Sequence, residues 1–251
     1  IKPYYDRYSR LFPWPAEVGE DKFNFFFPFY PDAINVIRAI SFQLTTTRSA
    51  IHFLHSSLKS ALQQGKNDLL TLWNVFEEVV NYTEDPSGTS AGVAAVKSRF
   101  STEYRAYEQA LKKLETVQTG ALKVYRERAK RILKTLFLYK LADISEGLNA
   151  VDVLNAVMDT RKEDATKEEN IEHYNLLLEE LANTLRQVKQ KGELFSFEPA
   201  AEGIDPEELF QQKREAIKNS DVAFFRAWET LFSFDGLEVK TPSGTQDYGF
   251  G

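Results

Sequence analysis

Apolar residues return every three to four positions along most of this chain, and that spacing allows few folds. Ile34, Ile37 and Ile40 follow it, then Ile51, Leu54, Leu58 and Leu62, then Leu69, Leu72, Trp73, Phe76 and Val79. Phe100, Tyr104, Tyr107, Leu111 and Leu114 continue the pattern, as do Ile132, Leu133, Leu136, Phe137 and Leu141. An α-helix brings such positions onto one face, so each stretch predicts an amphipathic helix with a stripe to bury. Strand-like alternation is confined to residues 193–198 and to the surroundings of Asp235-Gly236, a hairpin-type turn between 231–234 and 237–239. The chain reads as mainly α, with one or two short β-hairpins. A helical lid-like bundle with an aromatic arm covers 1–120. A winged-helix-like module covers 121–200, and C-terminal helices with a short hairpin cover 201–251.

Composition removes several function classes. A net charge of −6 over 251 residues argues against a protein whose main work is coating nucleic acid. With no cysteine there is neither a disulfide framework nor a Cys-ligated metal site. No apolar run approaches the roughly 20 residues that span a bilayer, and no signal peptide opens the chain. These features suit the cytoplasm, with no membrane partner. Ile1 rather than Met comes first, and both ends read as cut from a longer protein.

Punctuation along the chain sets the expected boundaries. Residues 1–30 are rich in aromatics and proline, and Pro13 and Pro15 flank Trp14, so extended chain is expected there, with a strand at 23–27. Asp32 stands at a helix N-terminus, Thr45, Thr46 and Thr47 break that helix, and Gly65 caps the next. Asp68 opens a third helix, and single helices are expected over 93–119 and 121–142. A short helix over 148–158 and a third over 171–191, stopped by Gly192, complete the helix, short helix, helix, strand order of a winged helix. Two helices follow from Asp205-Pro206 to about 233.

Few side chains carry a chemical signal. Lys123, Arg126, Arg128, Lys130, Arg131, Lys134 and Lys140 face one acid, Glu127, over eighteen residues. Lys123, Arg126, Lys130, Arg131 and Lys134 are the candidates for phosphate contact. They lie on the first helix of the module, whereas winged helices read DNA with the third. A solvated face or a protein contact is therefore favoured, and any DNA contact is expected to be weak and non-specific. His52 and His55 share a helix face, but His173 is remote and no cysteine joins them, so no metal site is expected. Adjacent carboxylates such as Glu77-Glu78 and Glu179-Glu180 point in different directions on a helix and suggest no acid–base pair.

The stretch over 27–59 carries a family resemblance. Phe27, Pro28, Phe29, Tyr30 and Pro31 lead into an amphipathic helix, a Thr-rich break follows, and Arg48-Ser49-Ala50-Ile51 opens a second apolar helix. This resembles the segment after the nucleotide-binding core of large bacterial AAA+ ATPases, above all the PglY/BrxC-like ATPases of BREX phage defence. Tyr30 stands where those proteins carry histidine. The resemblance implies a sensor-2 role for Arg48, whose planar, permanently charged guanidinium would reach the γ-phosphate of ATP. ATP and magnesium would belong to the parent protein, since this chain has no Gly-x-x-x-x-Gly-Lys-Ser/Thr loop. The implied function is that of a non-catalytic regulatory and interaction fragment. Its partners would be the rest of the parent ATPase and other defence-system proteins. The alternative is a free-standing helical adaptor or scaffold that binds another protein.

Overall fold

A computed structural model describes residues 1–44, 47–65, 69–83, 94–144, 146–160 and 165–199, with 47 and 48 by backbone only, and the backbone of 238–241 and 244–247. The chain divides into two units, 1–200 and 201–251. The first holds helices α1 (Lys2–Leu11), α2 (Glu20–Phe26), α3 (Pro31–Gln43), α4 (Thr47–Gln63), α5 (Leu72–Val80), α6 (Ala95–Arg99) and α7 (Ser101–Thr116). It continues with α8 (Gly120–Val124), α9 (Arg126–Ala142), α10 (Ala150–Val157), α11 (Lys167–Thr184) and the hairpin β1 (Val188–Lys191) and β2 (Leu194–Phe197). In the second unit β3 (Glu238–Thr241) pairs antiparallel with β4 (Gly244–Asp247). The protein is mainly helical, and its described strands form short antiparallel hairpins.

Helix α9 is the centre of the first unit. Ile132, Leu133, Leu136, Phe137, Leu138 and Leu141 are all buried. They surround much of the helix, as expected of one packed on several sides. It meets α3, α5, α7, α10 and β2. The Phe137 ring lies 4.8 Å from Tyr107, 5.5 Å from Phe197 and 6.0 Å from Phe76, which ties three elements to one side chain. Leu148, between α9 and α10, exchanges two 2.8 Å backbone hydrogen bonds with Phe195 of β2. Gly147 precedes it with φ +156°, and a Cβ there would stand 3.0 Å from that of Leu194.

Several expected boundaries moved. Residues 1–30 are not extended throughout: α1 and α2 form, and no strand occupies 23–27. Pro3 falls in the first turn of α1, where a missing N–H costs nothing. Phe23 is buried and Phe25 is 80 % exposed, while Phe27 lies one turn on, beside Phe23. Those aromatics therefore follow the helical period, and Glu20 and Asp21 complement the start of α2. The aromatic arm packs through Tyr5, Tyr8, Trp14, Phe23 and Tyr30.

The helix expected over 93–119 breaks at Phe100, and that over 121–142 breaks at Tyr125, both residues leaving helical backbone angles. Glu180 of α11 accepts the N–H groups of Ala121 and Leu122, which caps the short α8. The third helix of the module starts earlier and ends earlier than expected. Thr166 and Glu169 form a capping box at its start, it ends at Thr184, and 188–191 are strand β1. Gly192, at φ +64°, turns the hairpin instead of stopping a helix. Asn74 accepts from the Thr71 N–H and hydroxyl at the start of α5; Asp68 lies outside the described residues, as do the helices expected over 206–233 and the strand at 231–234. The described C-terminal hairpin pairs Thr241 with Gly244; the turn expected at Asp235-Gly236 lies outside the described residues. Asp32 in the first turn of α3 and Gly65 at φ +64° after α4 stand where the sequence put them.

Candidate functional site

The basic run is largely answered by acids and carbonyls of the same chain. Lys123 is exposed on α8, before the break at Tyr125, while the others lie on α9. Arg126 donates to the Val117 carbonyl oxygen. Lys130 meets Glu127 at 3.0 Å and Glu115 at 3.4 Å, and its hydrogen bond to Glu127, above all, holds its ammonium above the ordinary range. Lys134 pairs with Glu77 at 2.9 Å and lies over Phe76, and Lys140 pairs with Glu198 at 2.8 Å.

Arg128 and Arg131 form a cluster around Asp159, which follows α10. Arg128 Nε stands 3.0 Å from Asp159 Oδ2, and Arg128 also donates to Asp159 Oδ1 and the Thr160 carbonyl. Its remaining nitrogen stands 2.8 Å from His173 Nε2 of α11. Because a guanidinium only donates, that ring nitrogen accepts and the imidazole is neutral in this arrangement. Arg131 reaches Asp159 Oδ2 at 2.8 Å and lies 4.2 Å from the Trp73 ring centroid. Trp73 in turn donates to the Val157 carbonyl at 3.0 Å. Two arginines therefore fasten the end of α10 to α9 and α5.

Arg48 lies in the first turn of α4, and its side chain is outside the described residues. His52 stands 3.4 Å from Ser56 Oγ and packs against Tyr82, while His55 is exposed one turn away. His173 belongs to the Arg128 cluster. Among the described residues no three His, Asp or Glu side chains are grouped to hold a metal ion, and no helix is long and apolar enough to cross a membrane. Gly88-Thr89-Ser90-Ala91-Gly92 spells the Gly-x-Ser-x-Gly pattern but lies outside the described residues. Thr83 and Ala94, the described residues on either side, pair antiparallel.

A second polar site escaped the sequence reading. A cleft of about 260 Å³ opens between the aromatic arm, the start of α3 and α10. Asp32, Asp152 and Asn155 line it, with Tyr30 and Tyr139. Tyr139 donates to Asp32 Oδ2. Burial first, and the Asp152 carboxylate second, push the Asp32 carboxyl up to about 6 against the pull of Lys22. Burial, with the same two carboxylates, pushes the Tyr30 phenol upward. Asn149, Asp152 and Asn155 recur every third residue on or before an otherwise apolar helix. That recurrence is the signal the sequence held. The pairing with Asp32, 120 positions away, leaves no local trace.

Comparison of the chain with protein-family models, with curated proteins and with solved structures finds no match in any of the three.

Proposed function

We propose that this chain is the lid and winged-helix part of a large bacterial AAA+-type ATPase of the PglY/BrxC-like kind, working in phage defence in the cytoplasm. On this reading it is regulatory and does no catalysis of its own. One observation carries the winged-helix half: α9, the bridging residue Leu148, α10, α11 and the β1–β2 wing follow one another, with Leu148 paired to Phe195. The lid half draws support from the aromatic–proline run, which is anchored before α3. The Leu70 N–H donates to the Pro28 carbonyl, and the Tyr30 N–H to the Leu70 carbonyl. Arg48 then serves as the nucleotide sensor, and the ATPase core with its magnesium is the principal partner. In the intact parent protein, Arg48→Ala lowers ATP turnover and leaves the circular dichroism spectrum unchanged. Unchanged turnover refutes the sensor role.

A second reading, a helical adaptor, is favoured by Phe42, Ile51 and Leu62, which α3 and α4 leave between 63 % and 71 % exposed. Pull-down of the ATPase core by the chain separates the two readings, since only the first requires it.

A further inference from the structure

We propose that the cleft between the aromatic arm, α3 and α10 binds an organic cation bearing N–H donors, an alkylammonium or guanidinium group. The inference stands apart from the ATPase reading and rests on an inventory of acceptors. Asn155 is 5 % exposed; its Nδ2 donates to the Pro13 carbonyl at 3.0 Å, and its Oδ1 has no donor among the described residues. A buried acceptor left unmade costs about 1–3 kcal/mol, so an orphan of this kind calls for a partner. Asp152 Oδ2 accepts from the Asn149 N–H at 3.1 Å, which leaves Oδ1. Asp32 Oδ2 accepts from the Tyr139 hydroxyl, which leaves its own Oδ1. Three acceptor oxygens thus remain around one small cleft.

The charges facing the cleft favour the same ligand. Glu17 comes from the arm, Asp32 from α3 and Asp152 from α10, against Lys22 of α2 alone. Lys22 pulls on Asp32 but forms no ion pair among the described residues, so a single cation answers three carboxylates at a distance. The walls include Pro15, Val18 and Leu148, against which an alkyl stem packs. A divalent ion fits less well. Calcium takes six to eight oxygens and magnesium near-ideal octahedral geometry, whereas planar or tetrahedral N–H donors match a few fixed acceptors directly. Burial and the Asp152 carboxylate raise the Asp32 carboxyl, and a cation beside it would favour its charged form.

The test is a ¹H–¹⁵N NMR and calorimetric titration of the full chain at pH 7.5 with butylguanidinium, butylammonium, tetramethylammonium and magnesium chloride. The expected result is saturable binding of the first two, with shifts of the Asn155 side-chain amide, and none with tetramethylammonium, which lacks N–H donors. Asp32→Asn should weaken binding about tenfold or more, the loss of a charged hydrogen bond. Lys22→Ala, at the half-buried rim, should tighten it. An Arg-containing tripeptide that binds as well as butylguanidinium identifies a partner's side chain as the source; a tripeptide that fails while the small cation binds identifies a free metabolite. Absence of saturable binding, equal binding of tetramethylammonium, or preference for magnesium overturns the proposal.

Discussion

Asp159→Asn tests whether the basic face of α9 is engaged within the molecule. The substitution keeps the shape and removes the charge that Arg128 and Arg131 share at 3.0 and 2.8 Å. The amide it introduces also turns N–H donors toward guanidinium donors. The Arg128 side chain is 11 % exposed, that of Asp159 26 % and that of Arg131 33 %. Exposed pairs contribute about 0.2–1 kcal/mol, and removing one partner of a fully buried pair costs about 3–5 kcal/mol. This site lies between, so the expected loss is about 2 kcal/mol, a fall in Tm of about 4–8 °C for a domain of this size. Urea unfolding followed by tryptophan fluorescence measures it, because Trp73 sits under Arg131. Arg131→Met in the same background should recover part of the loss, since the second unpaired cation is gone and neighbouring sites couple. A loss below about 0.5 kcal/mol, ordinary for a surface change, would refute the reasoning.

Asp32→Asn should raise stability at neutral pH. With the folded carboxyl near 6 and its ordinary value at 3.8, the native state binds the proton more tightly than the unfolded chain. The charged form therefore costs stability above pH 6, by about 2 kcal/mol after allowing for partial exposure. That cost shrinks as pH falls through 6 and is gone below 3.8. Urea unfolding at pH 7.5 and at pH 4 checks this, and a variant less stable than the parent at pH 7.5 counts against it. DNA binding by the chain should be weak, steeply salt-dependent and blind to sequence, and charge reversal at Arg126 and Lys130 should remove it equally for all duplexes. A gel-shift series in which one duplex wins at physiological salt would make α11 the reader.

The helical class was legible because burial imposes a period that a sequence cannot hide: Phe76, Phe137 and Leu141 fall on their faces as the spacing required. The boundaries that moved were set by something other than the period. Whether Val188 continued a helix or began a strand depended on pairing with Phe197, which no local pattern reports. Phe23 and Phe27 were ambiguous because aromatics suit strands and helix faces alike. Only the exposure of Phe25 between them decides for the helix.

The sites divide in the same way. A run of seven cations in eighteen residues is conspicuous in sequence, yet sequence gives the charge and not its partners, which come from α5, the end of α10 and the strand-end residue Glu198. Such a helix presents less free charge than its composition suggests, because most of its cations already hold an acid or carbonyl of the same chain. The acidic cleft is the reverse case. Asp32 reads as a carboxylate at a helix start, a role it fills, and Asp152 fills the same role at the start of α10. Folding brings the two starts together and buries Asn155 beside them with one oxygen unanswered. Two carboxylates at one half-buried site oppose folding unless something offsets their repulsion, and Lys22 does not pair with either. Among the described residues, the unmet Asn155 oxygen and the two carboxylates, more than the conspicuous cations, are therefore the groups that the proposed cation would answer.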